Sequence, residues 1–271
     1  MKYGRVAVVM TAVFGGLFLS ISYVNPYSGV LSLSELVMQL SGSRGNLNLG
    51  FAMHELLSFA MRMAPDFIVE MYLGTLLYQH FCTASIYVFS RYPRRLKWYF
   101  QEVWLLGVQI LIYQFFLLFV VVVVSTLRVR VQFDIAGAFL LIYHLAIKSM
   151  WVFCMALGIN LLAVLSGSDF AFLCVMSFQT FCITILGITD NVAEEAGAYL
   201  LQLNPMARLV LCWQSSESPV FHTVLNPPFP WLEMKDSLFW FMIFCIVMVM
   251  TGAVLIKRHD LLYSVAEEGA V

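Results

Sequence analysis

Phe115-Phe116-Leu117-Leu118-Phe119-Val120-Val121-Val122-Val123-Val124 is apolar at every position. It does not alternate, so it cannot be a half-buried strand, and it sits inside a longer apolar stretch at 103–127. About 20 mostly apolar residues bridge the roughly 30 Å hydrocarbon of a bilayer as a helix. Five further stretches meet that length, at 6–24, 67–89, 135–165, 170–189 and 238–256. Closed barrels are the other spanning solution and need short alternating strands, which these stretches lack.

The composition agrees. Of 271 residues, 61% are hydrophobic and 11% charged, against about 45–50% and about 25% in soluble domains. The expectation is an all-α integral membrane protein with six transmembrane helices, forming one domain over residues 1–271. The same figures exclude a disordered chain. A net charge of −1 lacks the basic footprint of a nucleic-acid binder. Cys82, Cys154, Cys174, Cys182, Cys212 and Cys245 show no metal-ligand spacing and read as free thiols.

Lys and Arg remain cytoplasmic. With the N-terminus inside, the inner segments hold Lys2, Arg5, Arg91, Arg94, Arg95, Lys97, Lys257 and Arg258, crowded against span ends. Arg44, Arg62, Arg128, Arg130, Arg208 and Lys235 are spread over the outer segments. Both termini are therefore placed in the cytoplasm. The charged start and apolar run of the first span suit a signal peptide, but Ser20-Ile21-Ser22 before Tyr23 is a poor cleavage pattern, and the span reads as an uncleaved anchor.

Two large extracellular loops follow. The first, 25–66, holds a capped turn at 34–40 and an amphipathic stretch at 51–63, read as a short interfacial helix stopped by Pro65. The second, 190–237, holds Glu194-Glu195, an Asn204-Pro205 turn and the rigid elbow Asn226-Pro227-Pro228-Phe229-Pro230. Inside, Ser166-Gly167-Ser168-Asp169 is a tight turn whose Ser or Asp suits a helix cap.

Catalytic signatures are incomplete. No Gly-Lys pair exists, so no phosphate-cradling ATPase loop is present in this sequence. His54-Glu55 lacks the second His of HExxH, and Glu194-Glu195 has Tyr199 where the EExxxR of CaaX-type membrane proteases has Arg. Ionisable or polar residues within the spans are candidates for a pathway: Glu70, His80, His144, Lys148 and Asn160. Each has a structural alternative. Glu70 lies four residues into its span and can reach the outer interface. The 31 residues of 135–165 make about 46 Å of helix, which puts His144 and Lys148, neighbours at i,i+4, near the outer boundary where Lys can snorkel. An intramembrane enzyme would need His80, His144 and Glu70 to converge.

The richest inner segment is Arg91-Tyr92-Pro93-Arg94-Arg95-Leu96-Lys97-Trp98-Tyr99-Phe100-Gln101-Glu102. It suits a lipid-phosphate anchor and a partner-docking helix equally. A span running into this basic–aromatic segment, the stretch Leu200-Leu201-Gln202-Leu203-Asn204-Pro205 after the fifth span, and a long loop before the last span together resemble the membrane subunit of ABC-2-type ATP-binding-cassette exporters, especially bacterial peptide or bacteriocin export and immunity permeases. The long first outer loop departs from the shortest members of that family.

The resemblance implies a multi-pass protein of the bacterial plasma membrane that is not itself an enzyme. It would pair with a second membrane subunit and two cytoplasmic ATPase subunits, which carry the ATP and Mg. Arg91, Arg94, Arg95, Lys97, Trp98 and Glu102 would form the ATPase-coupling helix, with Ser166, Ser168 and Asp169 near a second contact. The cargo would be a hydrophobic or amphipathic peptide. A membrane scaffold that moves nothing is the third alternative.

Overall fold

The computed structural model describes residues 2–25, 30–42, 52–87, 95–188, 194–218, 221 and 232–258. Among them are the helices α1 (Lys2–Tyr23), α2 (Leu33–Ser41), α3 (Ala52–Leu73), α4 (Leu76–Tyr87), α5 (Arg95–Arg128), α6 (Ile135–Ser166), α7 (Ser168–Ile188), α8 (Glu194–Leu203) and α9 (Met234–Arg258). Two three-residue strands, β1 (Val30–Ser32) and β2 (Arg130–Gln132), pair in parallel with Leu31 opposite Val131, a minor departure from an all-α chain.

Five helices, α1, α5, α6, α7 and α9, are long and apolar enough to cross a membrane. Their outward faces carry side chains that water would not tolerate in such density, among them Phe14, Phe115, Phe139, Phe181, Ile246 and Met250. α6 is buried over most of its circumference and is the central helix. Ile147, Trp151, Val152, Leu157 and Ile159 on it are fully buried. Small residues set the close contacts. A Cβ on Gly16 would fall 2.8 Å from the Leu117 carbonyl oxygen, and one on Gly15 2.8 Å from Pro65 Cβ, so the glycine pair lets α1 lie directly on α5 and α3.

The second apolar stretch differs from its expected form. The helix does not stop at Pro65: α3 runs through it, so 51–63 is not a separate interfacial helix ending there. The expected span 67–89 is instead interrupted at Gly74–Thr75, where α3 ends and α4 begins. A Cβ on Gly74 would meet Ile159 Cβ at 2.9 Å, so α6 passes hard against the joint. α5 also begins earlier than the expected 103 and absorbs Arg95–Glu102 into one continuous helix of 34 residues.

One end of the bundle holds the start of α5, the α6–α7 turn and the end of α9. It is called the basic end here, for Arg95, Lys97 and Lys257. Gly167, at φ 85°, makes the α6–α7 turn. The opposite end is capped by the loops. Ser32 Oγ accepts from the Glu35 amide at 3.1 Å and starts α2. Asp134 caps α6 by accepting from the Gly137 amide at 2.9 Å, while its other oxygen accepts from the Ser34 amide at 3.1 Å. One carboxylate thus fastens α2 onto the first turn of α6. Asn204 donates from Nδ2 to the Cys182 carbonyl (2.7 Å) and accepts at Oδ1 from the Met206 amide (2.9 Å), which pins the Asn204-Pro205 turn to α7. Exposed Glu217 is held below the usual carboxyl range by the Lys235 ammonium, which donates to it at 2.6 Å. The elbow at 226–230 lies outside the described residues.

Candidate functional site

Met63, Asp66 and Glu70 recur on α3 at helical spacing and share one face. That face is turned inward, toward the middle of α5, α6 and α7. Lys148 Nζ donates to Asp66 Oδ2 at 2.7 Å and touches Met63 Sδ at 2.8 Å. Gln114 Nε2 donates to the other Asp66 oxygen at 2.7 Å. One turn further along α3, Gln179 Nε2 donates to Glu70 Oε2 at 2.6 Å. Asp66, Glu70, Gln114, His144, Lys148 and Gln179 are all buried, Glu70 and Gln179 completely.

Lys148 is matched to Asp66, while Glu70 has no cation within ion-pair distance among the described residues. Among the described residues, Glu70 Oε1, Gln179 Oε1 and His144 Nδ1 are buried without a hydrogen-bond partner. An ion pair in such surroundings persists only when its geometry and its extra hydrogen bonds offset the desolvation, and Gln114 and Met63 supply those contacts to Asp66 and Lys148.

Below the cluster, toward the basic end, Asn160 of α6 occupies the gap between α3 and α4. Its Nδ2 donates to the Leu73 carbonyl at 3.0 Å and to the Ala156 carbonyl at 2.8 Å. Its Oδ1 accepts from the Tyr78 amide at 3.0 Å. Leu73 and Tyr78 belong to the last turn of α3 and the first turn of α4, the turns where helix ends draw on side-chain partners. One side chain therefore satisfies both halves of the break.

At the basic end, His80 Nδ1 lies 3.1 Å from Glu102 Oε2. Phe81 and Trp98 rings pack at 6.0 Å between centroids, and Tyr99 OH donates to the Val249 carbonyl at 3.0 Å. These contacts clamp the start of α5 to α4 and to α9. Lys97 is exposed and Arg95 half-buried, and Arg91 and Arg94 lie outside the described residues. Ser166 Oγ donates to the Leu162 carbonyl at 3.0 Å, and Ser168 Oγ donates to Asp169 at 3.3 Å rather than capping α7.

Lys148 and His144 do not snorkel outward from the bundle: both side chains point into the protein. Both are buried, and Lys148 is committed to Asp66. Glu70 likewise turns into the protein. His80, His144 and Glu70 share no hydrogen bond: the first is paired with Glu102, the last with Gln179. Among the described residues no three His, Cys, Asp or Glu side chains converge as a metal set. The Cys154 and Cys245 thiols approach to 3.2 Å across α6 and α9.

Asp66 was assigned from the sequence to the end of a loop, and Gln114, Gln179 and Tyr113 drew no notice. The available signal was the i,i+4 pair Asp66 and Glu70 together with the lone intramembrane cation Lys148. Comparison with protein-family models, with curated proteins and with solved structures finds no match.

Proposed function

We propose that this chain is the membrane-spanning subunit of an ATP-driven exporter in a bacterial plasma membrane, working with a second membrane subunit and two cytoplasmic ATPase subunits that hold ATP and Mg. In this reading α3 and α4 together form a sixth crossing, and the basic end, with both termini, faces the cytoplasm. The cargo is a hydrophobic or amphipathic peptide.

The observation that supports this most is the reach and anchorage of α5. Its 34 residues make about 51 Å of helix at about 1.5 Å per residue, well beyond the roughly 30 Å hydrocarbon. The surplus at the basic end is Arg95–Glu102, a charged and aromatic lever standing outside the lipid. Through His80–Glu102 and Phe81–Trp98 the lever is fastened to α4, and through Tyr99–Val249 to α9. A partner pressing on it would move α4 about the joint at Gly74–Thr75. Arg91, Arg94, Arg95, Lys97, Trp98 and Glu102 form the docking segment, and Ser166, Ser168 and Asp169 the neighbouring contact.

The triple reversal Arg94→Glu, Arg95→Glu, Lys97→Glu tests this. The variant inserts with unchanged topology, loses co-purification of an ATPase that carries its own phosphate-binding loop, and stops transport. Normal co-purification and transport by a correctly inserted triple variant would refute the docking assignment.

A scaffold that moves nothing is favoured by one observation: Asp66, Glu70, Lys148 and Gln179 close the middle of the bundle. An exporter built this way must carry its cargo between two membrane subunits, not through one. Cross-linking of the chain in native membranes separates the two readings, since the exporter requires a paired subunit beside it.

A further inference from the structure

We propose that the trough between α5 and α9 binds one anionic phospholipid, with an acyl chain along its floor and the phosphate between Lys97 and Lys257. The trough has a volume of about 530 Å³, within the roughly 300–1,000 Å³ of small-ligand sites. Its walls are Phe100, Trp104 and Leu111 of α5 and Met242 and Ile246 of α9, over a floor that includes Phe153 of α6. Gly107 keeps it wide: a Cβ there would meet only Phe153, at 3.7 Å. Almost nothing polar lines it, so its occupant within the bundle is a hydrocarbon chain.

The charge at its mouth selects the headgroup. Lys97 precedes Phe100 by three residues and Trp104 by seven, so it continues the trough face of α5 toward the basic end. Lys257 follows Ile246 by eleven residues, three helical turns, and continues the trough face of α9 in the same direction. Tyr99 holds the two helices together at this level through the Val249 carbonyl. Both lysines are exposed, and each cation near a membrane surface adds about 1 kcal/mol of attraction for anionic lipid.

The site does not depend on the ATPase reading, because lipid binding is measured on the isolated chain. The experiment is native mass spectrometry of the purified protein with phosphatidylglycerol or phosphatidylcholine, beside melting temperature in each lipid. The wild type retains one phosphatidylglycerol in preference to phosphatidylcholine and melts higher with it. Lys257→Glu lowers that retention about fivefold or more, and Gly107→Leu, which fills the trough, abolishes it. Val108→Phe serves as a second filling variant should Gly107→Leu fail to fold, with melting in phosphatidylcholine as the check on folding. Equal retention of the two lipids by the wild type overturns the proposal. So does normal phosphatidylglycerol binding by either the charge variant or a folded filling variant, because phosphate and chain must then lie elsewhere.

Discussion

Lys148→Met destabilises the protein by about 3–5 kcal/mol, the usual effect of stripping the partner from a buried ion pair. Methionine matches the length of the lysine stem and keeps its packing, so the loss reports charge and not volume. What remains is Asp66, 3% exposed, a buried carboxylate that has lost its ammonium and keeps the Gln114 amide. The measurement is denaturant-dependent unfolding in a fixed micelle. The double variant Asp66→Asn, Lys148→Met recovers most of the loss, because a pair removed together leaves no stranded charge. Asp66→Asn alone is milder than Lys148→Met, since Lys148 retains Met63 and the asparagine oxygen. Equal stability of Lys148→Met and the wild type would show that the two groups are not paired within the protein.

Asn160→Leu uncouples α4 from α3. Two backbone groups lose their bond to Asn160 at once, the Leu73 carbonyl and the Tyr78 amide, and each such bond contributes about 0.5–1.5 kcal/mol. The loss is local in character, so hydrogen exchange detects it best: amides at 76–80 exchange faster in the variant while those in the middle of α5 are unaffected. Asn160→Asp keeps the acceptor for Tyr78 but replaces the donor to Leu73 with an oxygen, and it is expected to be as damaging as leucine. Serine is too short to reach both sides. Protection at 76–80 that survives both substitutions would mean the joint is held by packing against Ile159 alone.

Five of the helices were legible from apolar length alone, because α1, α5, α6, α7 and α9 each carry an apolar run long enough to cross a membrane. Their boundaries moved where polar residues extend a helix past its apolar run, as Arg95–Glu102 does on α5. The helix limits within residues 52–87 differ from the expected ones for two reasons. Proline lacks an amide hydrogen and crowds the preceding turn, which normally ends a helix, yet neighbouring helices relieve that penalty in a membrane bundle, and here Gly15 of α1 leaves room for the Pro65 ring. The break at Gly74–Thr75 had no strong local marker, since its stability comes from Asn160, more than eighty residues away in the chain.

The polar cluster was half visible. Glu70, His144 and Lys148 stand out in any apolar stretch, but the 32 residues of α6 exceed what the hydrocarbon requires, so the register of that helix was free and Lys148 could have been boundary or core. Its pairing with Asp66 shows only that the side chain faces the protein interior. Asp66 was hidden by the proline beside it, which made the position look like a loop. Gln114 and Gln179 carry no charge and gave no signal until Asp66 and Glu70 were found opposite them. The thiols and the Asn204-Pro205 turn needed no such partner and were read locally.

The most direct test places a photo-activatable cross-linker at Lys97, the exposed charge on the projecting end of α5, and a second at Val30 on the capped end. Illumination of membranes from the native host is expected to join Lys97, and not Val30, to an ATPase carrying a phosphate-binding loop, with the adduct changing in yield when ATP is added. An adduct from Val30 alone, or a Lys97 position that reacts with membrane-impermeant reagents outside intact cells, would contradict the account.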